Sequence, residues 1–449
     1  MKMIDAIVEQ IPAWRERVNR LRTQFGSLKV CDVTVEQIYG GIRGVQIQVS
    51  DISYVDPYEG IRLRGYTIPE VIQHLPRKPG AEFPSVGGLY YLLMTDRLPN
   101  AEEADEVEQE WVTRSQIPET VYQVIRQFPK QTHPMTLFSA AIMALQPSSL
   151  FASKYAEQMF TTEGLPKGDY WKYYLEDSMN LIAKLPGIAS FIYNYKYRNG
   201  EVIPYKTELD WSANFAHMIG KGDDLRYQDL CRLFFVIHSD HEGGNVSAHT
   251  AYLVSSALSD VYLSCAAGMN GLAGPLHGLA NQECIRWVLQ VQESFGGRVP
   301  EKEELATYLR QQLQAGKLIP GYGHAVLRTT DPRFTVQYEF ARKYIRNDPN
   351  IELIGRVFEV LPPILAENGK VKNPYPNVDA INGALQYHYG VKEFDFYTVL
   401  FGMSRILGLT AHIVWGRILG KPIERPKSLT TAMLEQLAEK SLQTVEKGL

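Results

Sequence analysis

The sequence is short of several features that define whole protein classes. Only four cysteines occur in 449 residues: Cys31, Cys231, Cys265 and Cys284, with no CxxC pair. That argues against a disulfide scaffold or a thiolate zinc site and fits a reducing compartment. Charge of one sign is scarce too. The formal net charge is −4, and no Lys/Arg block marks a nucleic-acid track, so no nucleic-acid partner is expected. Gly 35 and Pro 25 are near ordinary usage, which excludes a collagen-like or low-complexity chain. No apolar run approaches the ~18–20 residues that span a bilayer, so no membrane partner is expected. The first 26 residues lack the apolar core of a secretory signal, and Asp5, Glu9 and Glu16 are out of place in a transit peptide. The expected location is cytoplasmic, with a mature mitochondrial matrix form equally compatible.

What is present is globular. Hydrophobic residues make 45% and charged residues 21%, which rules out wholesale disorder. Single cores stop growing near ~250–300 residues, so at least two packed units are expected. Apolar residues recur at helical spacing over Met135–Leu145, Leu175–Tyr197, Tyr227–Ile237, Val246–Leu258, Val261–Leu272, Leu279–Val291, Glu301–Leu313 and Phe396–Leu419. Gly and Pro breakers separate them. Ile4, Ile7, Val8, Ile11 and Trp14 predict an N-terminal docking helix, and Leu429–Lys447 an amphipathic C-terminal one. Strand signals are confined to Val30–Val35 and Val45–Val49, which predict a small hairpin before the turn-rich Asp56–Tyr66. The fold class is all-α with a minor β-hairpin near the N-terminus.

Four stretches could carry chemistry. HSDHEGGNVSAHT holds His238, His241 and His249. His238 and His241, three apart, would share a helix face. With Asp240 and Glu242 nearby they read as metal ligands, as satisfied helix-end histidines before a cap at Asn245 or Ser247, or as an anion or substrate site. In MNGLAGPLHGLANQE, Gly274-Pro275 ends one helix and Pro275 suits the first turn of the next. His277 would then sit near a helix N-terminus, whose dipole favours a neutral imidazole able to donate to a developing oxyanion. It reads equally as a filler at a tight helix crossing. In PGYGHAVLRTTDPR, Gly321 and Gly323 let backbone approach a ligand, with His324, Arg328 and Arg333 following on a possible helix start. The third glycine of a dinucleotide fingerprint is missing and no GxxxxGK[ST] occurs, so Rossmann and P-loop sites are excluded. In KNPYPNVD, Asp379 opens a helix, where an N-terminal stabilising role is the plain reading.

Taken in order, YGGIRG at Tyr39–Gly44, EGIRLRGY at Glu59–Tyr66, the four stretches above, FGMSR at Phe401–Arg405 and ERPKS at Glu424–Ser428 resemble the citrate synthase family, in the type found in mitochondria and some bacteria. The likeness spans nearly the whole chain. It implies a large helical domain (1–277 and 388–449), a smaller inserted helical domain (278–387) that closes over substrate, and a homodimer. It implies condensation of acetyl-CoA with oxaloacetate and hydrolysis of the citryl thioester, with no cofactor and no metal. Asp379 matches the family's base, His277 the donor to the thioester oxygen, and His324 the group polarising the oxaloacetate carbonyl. Arg333, Arg405 and Arg425 match the carboxylate-binding arginines, Arg425 reaching in from the partner subunit. His241 assists them, and Phe401 matches an aromatic beside the substrate. Arg43 and Arg328 match CoA phosphate contacts, Leu318, Gly321 and Gly323 lie in the adenine-contacting turn, and Asn377 lies beside the pantetheine path. One departure stands out. A further phosphate-binding arginine is expected just after Tyr155-Ala156-Glu157, where this chain has QMFTTEGLPKGDYW with Lys167 as the available cation. Two rival readings are a 2-methylcitrate synthase using propionyl-CoA and, remotely, a metal-dependent hydrolase at His238 and His241.

Overall fold

The structure is a computed structural model. It describes residues 1–158, 164–367 and 371–447, with side chains as far as residue 443. At its centre the 22-residue helix Tyr397–Ile418 is buried at every position. A helix apolar on all sides must be surrounded by protein or lipid. Here its neighbours are Tyr170–Tyr197, Val261–Leu272, Val246–Ser256, Val86–Thr95 and Leu225–Ile237. Gly408 allows the closest of these approaches. A Cβ there would lie 2.5 Å from the Ser239 carbonyl oxygen, and the Gly408 N–H donates to that same oxygen at 3.0 Å. The expectation that no segment could span a membrane is corrected by two stretches long and apolar enough to do so, Pro134–Glu157 and Phe394–Ile418. The second is enclosed entirely by protein.

The N-terminal docking helix runs over Lys2–Gln24 and buries Met3, Ala6, Ile7 and Ile11. Val8 faces outward instead, while Trp14 packs edge-on against Trp415 at 5.7 Å. The predicted strands do not form. Residues 28–34 are irregular, Thr34 caps a short helix over Val35–Tyr39, and 45–50 has no ladder. Val30, Val33, Val35, Ile47 and Val49 are exposed, and β-branched composition without a partner strand gives no sheet. The sheet lies just downstream, as β1 (Ser53–Asp56), β2 (Gly60–Leu63) and β3 (Tyr66–Thr67), all antiparallel in that order. The residues read as turn-rich are its hairpin: Asp56 Oδ1 accepts from Tyr58 N and Glu59 N at 2.8 and 2.9 Å.

Five later helices pack mainly on one another: Ala280–Ser294, Lys302–Gln314, Pro332–Tyr344, Pro349–Glu367 and Asp379–His388. Their main links to the rest run through Pro332–Tyr344 against Leu225–Ile237 and Ile68–His74 and through Ala280–Ser294 against Tyr397–Ile418. Side chains at that seam form the candidate site.

Candidate active site

The helix Leu225–Ile237 stops at His238, which is its C-cap. His238 and His241 therefore do not share a helix face. His241 lies in a tight turn, where Glu242 has φ 53°. β1 holds that turn in place. Ser53 Oγ donates to Asp240 Oδ2 at 2.6 Å and accepts from Glu242 N at 2.6 Å, while Val55 N donates to Glu242 Oε2 at 3.3 Å. Asn245 closes the turn and caps the next helix. Its Nδ2 donates to the carbonyls of His241 and Glu242, and its Oδ1 accepts from Ala248 N.

Arg405 projects into this turn from the central helix. It is 1% exposed, and its guanidinium donates to Asn245 Oδ1, Ser247 Oγ and the His238 carbonyl at 3.2–3.4 Å. One helical turn earlier, the Phe401 ring lies 4.8 Å from its central carbon. No carboxylate among the described residues forms an ion pair with it. Burial pulls its pKa down to about 10, with Asp240 opposing. A buried cation without an ion-pair partner is costly, and an incoming anion would relieve that cost.

Arg333 is placed differently. Asp331 caps the helix Pro332–Tyr344 by accepting from Arg333 N at 2.9 Å, and also holds the Arg333 side chain through Nε and Nη2 at 2.7–3.2 Å. Burial opposes ionisation of Asp331, but Arg333 keeps its carboxyl below the usual range. The Arg333 Nη1 edge makes no hydrogen bond among the described residues.

Three histidines converge nearby. Backbone amides of Val326 and Leu327 donate to His324 Nδ1 at 3.0 and 2.9 Å. A backbone amide can only donate, so Nδ1 is bare and the neutral ring carries its proton on Nε2. The same logic applies to His277, where Ser247 N donates to Nε2 at 3.4 Å and so leaves the proton on Nδ1. Burial lowers both pKa values to about 4, helped by Arg333 at His324 and Arg405 at His277. The imidazole of His241 stands 5.7 Å from that of His324. Burial, then Arg333 and Arg405, hold it well below its ordinary value. His277 is not in a helix. The expected helix start at Pro275 is displaced, since residues 274–279 form turns and the helix begins at Ala280. Its neutrality comes from burial and Arg405 rather than from a helix end.

Asp379 opens the helix Asp379–His388, with its N–H donating to Asn377 Oδ1 at 3.0 Å. No donor among the described residues reaches its carboxylate. Burial raises its pKa to about 6, with Arg333 opposing. The preceding loop is stitched to the glycine turn. Gly323 N donates to the Tyr375 carbonyl, Asn377 N to the Gly321 carbonyl, and Asn377 Nδ2 to the Gly323 carbonyl. Gly321 has φ +80°, and a Cβ there would lie 2.7 Å from Ala380 Cα. Only glycine lets this turn meet the helix that carries Asp379. His324 is likewise in irregular backbone, and the helix expected after it starts only at Pro332.

The structure thus brings together His241, His277, His324, Arg333, Asp379, Phe401 and Arg405, with Gly321, Gly323 and Asn377 as framework. Arg43 lies exposed in a turn apart from this cluster, and Leu318 is 90% exposed. Arg328 Nη1 donates to the carbonyls of Val326 and Leu327 in its own loop. Arg425 lies exposed in an extended segment with no partner among the described residues. Lys167 is exposed in a short turn, and residues 159–163 of the unusual stretch lie outside the described residues. Sequence reasoning missed Ser53, Asp331 and Asn382, and gave Ser247 only a capping role. Asp331 alone had a signal, as a residue just before Pro at a helix start. Both ring nitrogens of His238 are engaged, Nδ1 with the Phe234 carbonyl at 2.8 Å and Nε2 with Asn382 Nδ2 at 3.2 Å. That leaves no free nitrogen for the metal reading. Among the described residues no group of three His, Cys, Asp or Glu is arranged to hold a metal.

Comparison with known proteins bears on this geometry. Residues 41–427 match the family described as "Citrate synthase, C-terminal domain". The chain is 51% identical over 437 residues to "Probable citrate synthase, mitochondrial" of Glossina morsitans morsitans, covering 97% of this chain and 92% of that one. It is 49% identical to "Citrate synthase, mitochondrial" of Xiphias gladius, covering 95% and 90%. Among solved structures, the citrate synthase of Pyrobaculum aerophilum aligns with TM-score 0.75 at 26% identity, over 87% of this chain and 92% of that one. A ternary complex of the Thermoplasma acidophilum enzyme with carboxymethyl coenzyme A and oxaloacetate aligns with TM-score 0.72 at 22% identity, over 89% and 97%. This second likeness bears on the fold.

Proposed function

The chain belongs to the citrate synthase family, and from that membership we propose how its side chains divide the work of joining acetyl-CoA to oxaloacetate. The observation that carries the reading is the buried Arg405, with no carboxylate ion pair among the described residues, beside the neutral His277, while Arg333 stands beside the neutral His324. Arg405 binds one oxaloacetate carboxylate, and the free edge of Arg333 binds near it with His241 assisting. His324 donates its Nε2–H to the ketone oxygen under attack. The thioester methyl is a very weak carbon acid, so a base succeeds only if the forming enolate oxygen is stabilised at once. Asp379 takes the methyl proton and His277 donates its Nδ1–H to that oxygen. The new carbanion carbon attacks the ketone carbon, whose oxygen takes the His324 proton to become the citryl hydroxyl, and the proton held by Asp379 returns to His324, which restores both groups. Water then adds to the thioester carbonyl, and CoA leaves as the thiol. No metal or cofactor takes part. Burial serves both sides of this scheme: helped by Arg333 at His324 and Arg405 at His277 it keeps these histidines neutral, and against the pull of Arg333 it leaves Asp379 ionised only above about pH 6.

We propose further that the chain works as a dimer. Val246, Leu253 and Leu263 are exposed on the helices Val246–Ser256 and Val261–Leu272, whose other faces are buried. Isolated apolar residues need no explanation, but a group on two adjacent helices suits a partner. Arg425, unpartnered among the described residues, then completes the neighbour's oxaloacetate site, and Phe401 stacks beside the substrate. Residues 278–387 act as a small domain closing on the large one (1–277 and 388–449), consistent with the packing of its five helices on one another. Arg43, Arg328, Leu318, Gly321, Gly323 and Asn377 take CoA, with Lys167 standing in for the absent arginine. Four unbridged thiols suit a reducing compartment, cytoplasm or matrix. A thiol-release assay tests the reading: oxaloacetate plus acetyl-CoA should release CoA, and propionyl-CoA should be slower. Faster turnover of propionyl-CoA would instead support a methylcitrate synthase, because one methylene is worth only ~1–3 kcal/mol of discrimination.

A further inference from the structure

The helix that carries Asp379 is tied to the oxaloacetate wall by one side-chain hydrogen bond. Asn382 is the third residue after Asp379 on the helix Asp379–His388, so both lie on one side of it. Its Nδ2 is 3.2 Å from His238 Nε2, and the pair is sealed, at 1% and 0% exposure. The direction of the bond is fixed. His238 Nδ1 faces the Phe234 carbonyl at 2.8 Å, and a carbonyl can only accept, so Nδ1 holds the proton and Nε2 accepts from Asn382.

His238 is itself held rigidly. Its ring stacks on Phe234 at 4.1 Å and meets Phe401 edge-on at 5.3 Å. Its carbonyl accepts from Arg405 Nε. The same residue therefore touches the aromatic and the arginine of the oxaloacetate site while gripping the helix of the base. The grip is not an efficient way to stabilise a fold. Asn382 Oδ1 is buried with no hydrogen-bond partner among the described residues, and such an orphaned acceptor is destabilising. An apolar residue of similar volume would leave Oδ1 out altogether.

We propose that Asn382 is a positioning residue, acting through His238 to set the distance between the Asp379 carboxylate and the carbon acid. This rests on the reading of Asp379 as the base. Proton abstraction depends steeply on that distance, and a displacement of about 1 Å can cost up to about a hundredfold in rate.

The test uses the full-length protein and Asn382→Leu, which keeps the branched shape and removes the donor. Turnover should fall about ten- to a hundredfold, with KM for oxaloacetate within about twofold and the melting temperature unchanged or raised. With methyl-deuterated acetyl-CoA the isotope effect on turnover should rise, because proton abstraction becomes limiting. A merely structural role would slow all steps and leave the isotope effect where it was. Asn382→Ser, which keeps a shorter donor, should recover part of the rate, and it supplies the same readouts if the leucine variant does not fold. His238→Phe combined with Asn382→Leu should be no slower than the slower single variant. Normal turnover in Asn382→Leu, or slowed turnover with an unchanged isotope effect, overturns the proposal. A parent protein that forms no citrate would instead strike at the proposed function.

Discussion

Replacing Asp379 with Asn should make the protein more stable and nearly inactive together. In the folded protein the carboxyl titrates near pH 6, against 3.8 ordinarily, because burial disfavours its charge. The folded state thus binds this proton more tightly than the unfolded state. Below about pH 4 the group is protonated in both states and costs nothing. Between about pH 4 and 6 the unfolded chain releases its proton first, so stability falls as pH rises. Above about pH 6 the full penalty applies. A gap of about two pH units corresponds to about 3 kcal/mol. Because the side chain keeps some solvent exposure, roughly 1–2 kcal/mol is the expected share. With an unfolding entropy of about 2.1 cal/mol/K per residue over this length, that raises Tm by only ~1–2 °C. Denaturant titration of parent and variant at pH 4 and pH 7.5 reads it better: the variant should gain at pH 7.5 and not at pH 4. Thiol release should drop below about a tenth of the parent rate, a loss of at least ~1.4 kcal/mol. Equal stability at both pH values would refute the buried-charge argument, and turnover above a tenth would remove Asp379 from the base role.

Other expectations follow from the same geometry. Arg405→Leu should weaken oxaloacetate binding by about ten- to a hundredfold in calorimetry, the worth of a charge-assisted contact; a Kd within threefold of the parent would contradict its role. In the free enzyme kcat/KM for acetyl-CoA should fall about tenfold per pH unit below about pH 6, as Asp379 takes up its proton; a flat profile from pH 5 to 8 would contradict the raised carboxyl. Heterodimers of Arg425→Ala and Asp379→Asn chains should recover up to about half the parent activity, since one site then carries both lesions and the other neither; no recovery in an assembled heterodimer would place Arg425 in its own chain's site. Exhaustive chelation should leave thiol release intact, whereas a loss reversed by added metal would falsify the metal-free scheme.

The helices were legible because their apolar spacing is long and regular. Tyr397–Ile418 and Val261–Leu272 fall within a residue of the periodic runs that predict them. The sheet was misplaced for a reason specific to strands. Val30, Val33 and Val49 have the composition of a strand but no partner, whereas SYVD and GIRL pair across a DPYEG turn. Pairing is a tertiary fact that composition does not carry. The residues gathered at the seam were legible through motif resemblance, but their states were not. That His324 holds its proton on Nε2 depends on two backbone amides in its own loop, and that His277 holds it on Nδ1 depends on Ser247, thirty residues away. His238 shows the limit most plainly. Its three-residue spacing from His241 suggested a shared helix face, yet the helix ends at Ile237 and the ring turns toward Asn382, 144 residues on.

The central claim is that this site makes a carbon–carbon bond between the acetyl methyl and the oxaloacetate ketone. The most direct test is carbon-13 NMR of the purified protein with oxaloacetate and acetyl-CoA labelled at the methyl carbon. The account predicts that the label appears in a methylene of citrate, in step with free CoA. Label recovered as acetate, with CoA released and oxaloacetate unchanged, would show a thioesterase and contradict it.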